Sequence, residues 1–253
     1  MQLIKTVMHK EPDIKFFLAT NELREKCHKE SLLALPTIGK KLPILVEEVD
    51  GLLRKLDEIA SCALVCPGKN SSHHVQKLLG KTVSCSIASI ELAYRGHYDE
   101  SMILCRSVGE AANLSWLFLL DKTLLDNWMT LEPKKRWHKF KPGAVRKLIK
   151  DKGVPVPIDQ SKYSSLSELG HPTPHASPNY YNSHLPTLGG RFQKDGLIVA
   201  INEIAGALSI VGMALPQFVE EIDVKYKAEL VISCIEIIEN IGGVDVSMVK
   251  GMY

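Results

Sequence analysis

Apolar residues along this chain recur every three to four positions, and no stretch alternates with period two over more than a few residues. That pattern predicts helices and gives strands no support. A first helix is expected to open near Glu11-Pro12-Asp13, with Pro close to the first turn, to carry Ile14, Phe17, Leu18, Leu32 and Leu33, and to stop at Pro36. In the second, Leu45, Val49, Leu52, Leu56, Ile59 and Ala63 follow at spacings of 4, 3, 4, 3 and 4, the seam of helices packed at a shallow angle. These two helices are expected to pair as an antiparallel N-terminal hairpin, ended by Pro67-Gly68-Lys69-Asn70. A third helix, capped by Ser71 or Ser72, carries Val75, Leu78, Leu79, Val83, Ile87 and Ile90 as its apolar stripe.

Gly96-His97-Tyr98-Asp99 then turns the chain into a helix that runs to about Leu120 and is apolar nearly all round. Such a helix is buried, yet it holds Arg106 and Glu110, four apart and so on one face. Shorter helices are expected at 123–131, 144–150 and 161–169, the last stopped by Gly170. Two long ones close the chain: 197–222, interrupted at Pro216, and 225–240, which buries Leu230, Val231, Cys234, Ile237 and Ile238. The fold class is therefore all-α, a helical bundle of about seven helices with an N-terminal helical hairpin. The hairpin would occupy 1–66 and the bundle 67–253, either as two units or as one continuous domain.

Composition changes this picture little. Of 253 residues 45% are apolar and 24% charged, the balance of a globular protein, and a net charge of +2 forces no polyanionic partner. The N-terminus lacks the apolar core and small-residue cleavage site of a signal peptide. The longest apolar run, 197–216, is broken by Asn202, Glu203 and Ser209 and reads as a buried helix, not a membrane span. Six cysteines show no Cys-x-x-Cys spacing. Cys62 and Cys66 share a helix face but lack further zinc ligands nearby, so reduced thiols in a cytoplasmic protein without metal, cofactor or membrane are expected.

Charge is unevenly spread, however. Residues 132–152 hold nine Lys or Arg against Glu132 and Asp151, a local +7 that leaves −5 for the remainder. Trp137, His138 and Phe140 are interleaved. Basic charge with aromatics suits a phosphate backbone, with Lys134, Lys135, Arg136, Lys139, Arg146 and Lys147 as the contacts. A solvated connector would carry the same residues. Downstream, 171–190 reads as an irregular loop with four prolines and His171, His175 and His184.

Candidate chemistry gathers on the central helix and the helix at 161–169. Arg106 offers a permanently charged fork for phosphate or carboxylate, with Glu110 to orient it. Tyr163 and Ser167 face one way, and His171 lies just past the helix end as the natural proton carrier near neutral pH. As catalytic residues, Arg106, Glu110, Tyr163 and His171 would suit metal-independent RNA cleavage, Arg106 stabilising charge on the phosphorane. The other reading of these residues is a structural ion pair and a helix-capping His. No Gly-x-Ser-x-Gly, phosphate-binding Gly-rich loop, Gly-x-Gly-x-x-Gly or His-Glu-x-x-His is present, which removes support for serine hydrolase, nucleotidase and zincin chemistry.

Gly96-His97-Tyr98-Asp99-Glu100-Ser101, then Arg106-Ser107-Val108-Gly109-Glu110, then Tyr163-Ser164-Ser165-Leu166-Ser167-Glu168-Leu169-Gly170-His171-Pro172, resemble a family of bacterial helical proteins of unassigned function. That family is similar in turn to the HEPN superfamily of helical bundles. The resemblance covers roughly residues 71–240. It implies a dimerising bundle that binds or cleaves RNA or a nucleotide, in antiphage defence or a toxin–antitoxin pair. The chain departs from the nuclease members in lacking an Arg followed four to six residues on by a His. A second class fits the same helices: a non-enzymatic module that assembles with itself or a protein partner.

Overall fold

The computed structural model describes residues 14–38, 41–65, 71–169 and 192–241, with backbone alone at 14–21, 23, 24, 62–65, 71 and 72. Among the described residues there are ten α-helices and no strand: α1 (Ile14–Ala34), α2 (Lys41–Val65), α3 (Ser71–Tyr94), α4 (Tyr98–Leu120), α5 (Thr123–Thr130), α6 (Pro133–Phe140), α7 (Pro142–Asp151), α8 (Gln160–Glu168), α9 (Lys194–Ala214) and α10 (Val224–Ile241). Short 3-10 turns follow α1 and α9 at Leu35–Thr37 and Leu215–Phe218. Ten helices stand where about seven were expected because the connectors are themselves helical. The basic segment forms two, α6 and α7, each opened by a proline in its first turn, where the missing N–H goes unused.

The first two helices were expected to pair with each other; the stronger described contacts of α1 with other long helices are with α3 and then α9. Ser31 Oγ donates to the Tyr94 carbonyl at 2.9 Å, Arg95 reaches Glu25 at 3.1 Å, and His28 lies 5.8 Å from the Tyr94 ring. The periodic face of α2 is spent elsewhere, against α3, α9 and α10. Leu52 and Leu56 join the same packed cluster as Leu208 and Ile237, so the core runs across the boundary expected at residue 66.

α4 and α9 form the centre and pack chiefly on each other. Both are long and apolar enough, by length and composition, to cross a membrane, and 56% and 72% of their most apolar windows are buried within the fold. Gly196 makes their contact close: a Cβ there would stand 2.7 Å from the Tyr98 ring. Tyr98 Oη in turn accepts the Gln193 N–H at 2.9 Å, which seats the start of α9 on the start of α4. Gly212 serves the same purpose against α10, where a Cβ would meet Cys234 Sγ at 2.8 Å.

On α3 the stripe holds at Val75, Leu79 and Val83 but not at Ile87, which is 48% exposed. Beyond Val83 the buried face continues through Ser86, Ser89 and Ala93, small residues that let α4 approach. Ser89 Oγ closes that contact by meeting the Ser101 carbonyl of α4 at 2.9 Å.

Candidate functional site

The site is assembled from α4 outward. Gly109 leaves no side chain between α4 and the segment before α8, so Ile158 packs there; an added Cβ would meet Ile158 Cγ1 at 3.2 Å. One turn on, Asn113 clamps the same residue through both halves of its amide. Its Nδ2 donates to the Ile158 carbonyl at 2.7 Å and its Oδ1 accepts the Ile158 N–H at 2.9 Å. Asp159 then caps α8 by accepting the Lys162 N–H at 2.9 Å. Lys162 ties the helix to α9 through Glu203 at 2.7 Å. With its start fixed this way, α8 lays Tyr163 over the one charged turn of α4.

There Glu110 Oε1 accepts from Arg106 Nε at 3.2 Å and from Tyr163 Oη at 3.1 Å. Two guanidinium groups lie over the Tyr163 ring, Arg106 at 5.0 Å and Arg146 of α7 at 4.2 Å from its centre. Both approaches fall within cation–π range. Arg106 and Glu110 keep 30% and 34% of their side-chain surface, so the pair is open to solvent, not sealed. With one carboxylate between two arginines, this cluster carries a net positive charge.

Arg146 was expected among phosphate contacts on the surface and lies instead buried, 6% exposed. Its Nη2 donates to Gln160 Oε1 at 2.6 Å and its Nη1 is enclosed without a hydrogen-bond partner. The reason is geometric: Val145 and Ile149 bury the inner face of α7, and Arg146 shares the edge of that face with Tyr163 above it. Arg136 is partly withdrawn as well, its Nη1 turned back to the Trp128 carbonyl at 3.3 Å. Lys134, Lys135 and Lys147 are exposed and Lys139 is half-buried. Trp137, 62% exposed, is flanked by Lys141 at 5.6 Å.

Of the remaining expected site residues, His171 and the loop 171–190 lie outside the described residues. Ser167 turns its hydroxyl to the Tyr163 carbonyl at 2.7 Å and takes no part in the cluster. Among the described residues no three His, Cys, Asp or Glu side chains lie together as metal ligands would. Sequence reasoning overlooked Gly109, Asn113 and Gln160, although a Gly and an Asn inside so apolar a helix were visible as anomalies.

Glu110 also faces a groove of about 220 Å3 between α3 and α4, lined by Leu78, Lys81, Leu114, Phe140 and Pro142. Two donors occupy its Oε1, while Oε2 has no hydrogen bond among the described residues. No family model, no curated protein and no solved structure matches this chain.

Proposed function

We propose that this protein binds RNA, with α6 and α7 as the surface that holds phosphates and Trp137 as the platform on which a base stacks. The observation that carries this reading is the 62% exposure of Trp137 within a run of lysines. Lys134, Lys135, Lys141, Lys147 and Lys150 make no ion pair among the described residues, so their charge is free for a polyanion. A large aromatic left in water beside unpaired cations is costly for folding and useful for single-stranded nucleic acid. The protein would do this in the cytoplasm, a reading supported by the free thiols of Cys27, Cys85, Cys105 and Cys234.

Fluorescence anisotropy with labelled single-stranded RNA tests it. Affinity is expected to fall steeply with salt, and Lys134→Ala with Lys135→Ala to flatten the slope of log K against log salt by about 0.7 for each phosphate no longer neutralised. Absence of binding at low salt contradicts the reading. Cleavage is its catalytic extension: Arg106 would stabilise phosphorane charge, Glu110 and Tyr163 would position it, and His171 would carry the proton. RNA cleavage that persists in both Arg106→Ala and His171→Ala removes that extension.

A second reading is favoured by a different observation. Leu32, Leu33, Ile44 and Ile87, on α1, α2 and α3, are 48 to 77% exposed. Apolar surface of this kind suits assembly with a second copy or a protein partner. Light scattering on the wild type and on Leu33→Glu with Ile87→Glu decides it; a monomer in both removes self-assembly.

A further inference from the structure

We propose that the groove between α3 and α4 binds a single nucleoside unit, whose ribose hydroxyls donate to the free carboxylate oxygen of Glu110.

α3 and α4 are consecutive antiparallel helices, so their facing turns meet in register: Leu78 lies toward Leu114, and Cys85 toward Ser107. Small side chains on the α4 face leave the space between them open, and Phe140 with Pro142 closes one end. The result is a slot with an apolar side, Leu78, Leu114, Phe140 and Pro142, and a polar one that holds Lys81, Thr82, Ser107, Glu110 and Asn113. Two of those are already used: Thr82 Oγ1 donates to the Leu78 carbonyl at 2.9 Å, and both ends of the Asn113 amide hold Ile158. Among the described residues Glu110 Oε2 is the strong acceptor that remains without a hydrogen bond.

The charge around Glu110 selects among ligands. Arg106 at 3.2 Å already offsets the carboxylate's charge and Arg146 adds a second cation at the Tyr163 ring, so a cationic ligand gains little and is repelled by the excess positive charge. An anion at the same point would meet the carboxylate itself. A neutral donor meets neither obstacle, and a hydrogen bond to a charged acceptor is among the stronger ones. Lys81, which makes no ion pair among the described residues, lines the slot and suits a 5′-phosphate. At about 220 Å3, below the roughly 300–1,000 Å3 of pockets that enclose a drug-sized ligand, the groove has room for no more than a single nucleoside unit. A base would lie against Leu78, Leu114, Phe140 and Pro142 on its apolar side.

The proposal depends on the RNA reading only for the source of the nucleoside, which is either a free nucleotide or one residue of an RNA strand. Calorimetry and ligand-observed NMR with the four ribonucleosides, their 5′-monophosphates and 2′,3′-dideoxyadenosine test it on the full chain. At least one ribonucleoside is expected to bind, adenosine about tenfold or more tightly than its dideoxy form if adenine is accepted. Ser107→Trp, a change at an exposed groove position, is expected to abolish binding while the thermal melt stays cooperative. A fall in RNA affinity in the same variant identifies the strand as the source; unchanged RNA affinity with nucleoside binding abolished identifies the free nucleotide. If no ribonucleoside or monophosphate binds the folded wild type, or Ser107→Trp binds as well as wild type, the groove proposal falls, and salt-dependent RNA binding would then still stand by itself. Nucleoside binding without RNA affinity would overturn the RNA reading and leave the groove.

Discussion

Asn113 shows how much a single side chain decides. Its amide replaces the two hydrogen bonds that the buried Ile158 backbone would otherwise make with water. Asn113→Ala orphans a donor and an acceptor at roughly 1–3 kcal/mol each. We expect chemical denaturation to register the difference, and α8 to shift so that the hydrogen bond between Tyr163 and Glu110 weakens. The same scale governs acid–base behaviour. Burial pushes the Cys27 thiol up to about 11 and Cys234 up to about 12, and raises Cys105 further. A thiol raised above its ordinary value of 9.0 contributes stability that is present below that value and lost as pH climbs through the folded one. Stability is therefore expected to decline from about pH 9 upward, and these three thiols to resist iodoacetamide at pH 8, as peptide mass spectrometry would reveal. Alkylation of native Cys105 or Cys234 at that pH would contradict their burial. Asp121 works at the opposite end. Hydrogen bonds from Thr123 and then Lys152 hold its carboxyl below 3.8, so the stability it adds is present above the ordinary carboxylate range and fades as pH falls below it. Asp121→Asn is expected to lower the melting temperature at pH 7, by a margin that shrinks as pH falls below the ordinary carboxylate range.

At the scale of elements, legibility followed burial. The extents of α2, α3 and α10 could be read because each presents a periodic apolar face to a core, and that of α4 because it is apolar nearly all round; Pro or Gly marks at least one end of each. α6 could not, since it buries no residue and so leaves no period to detect. Ile87 was misplaced because hydrophobicity alone cannot register that Ser86, Ser89 and Ala93 give the closer helix contact. The site divided the same way. Arg106 and Glu110 declare their pairing by spacing within one helix, whereas Arg146 sits in a basic run and its partner Tyr163 arrives from a later element; no local pattern connects them. Close helix contacts also set the cost of change. Gly212→Ala would drive a methyl into Cys234 Sγ and Leu52, at 2.8 and 3.2 Å. Overpacking of that kind is expected to cost about 1–3 kcal/mol, and Cys234→Ala in the same chain to recover part of it. A neutral Gly212→Ala would show that α9 and α10 are packed less closely than described.

Across the whole molecule, charge and packing are separated. A core shared by α2, α3, α4, α9 and α10 supplies rigidity, and cutting it at Leu56→Ala or Leu208→Ala, both fully buried, is expected to cost about 2–5 kcal/mol in denaturant unfolding. The +7 segment lies on two short helices at the edge of that core, α7 adding Val145 and Ile149 to it and Arg146 to the Arg106–Glu110–Tyr163 cluster. Binding and stability should consequently respond to different substitutions. Trp137→Ala removes a side chain that packs little, so the melt should hardly move, while RNA affinity falls by the roughly 1–3 kcal/mol typical of one stacked base. The most direct test is photo-crosslinking of the full-length protein to single-stranded RNA containing 4-thiouridine, with the adducts located by mass spectrometry. RNA binding through α6 and α7 predicts adducts concentrated in 134–150, Trp137 foremost; adducts confined to other surfaces, or none under conditions where a control RNA-binding protein is labelled, would contradict it.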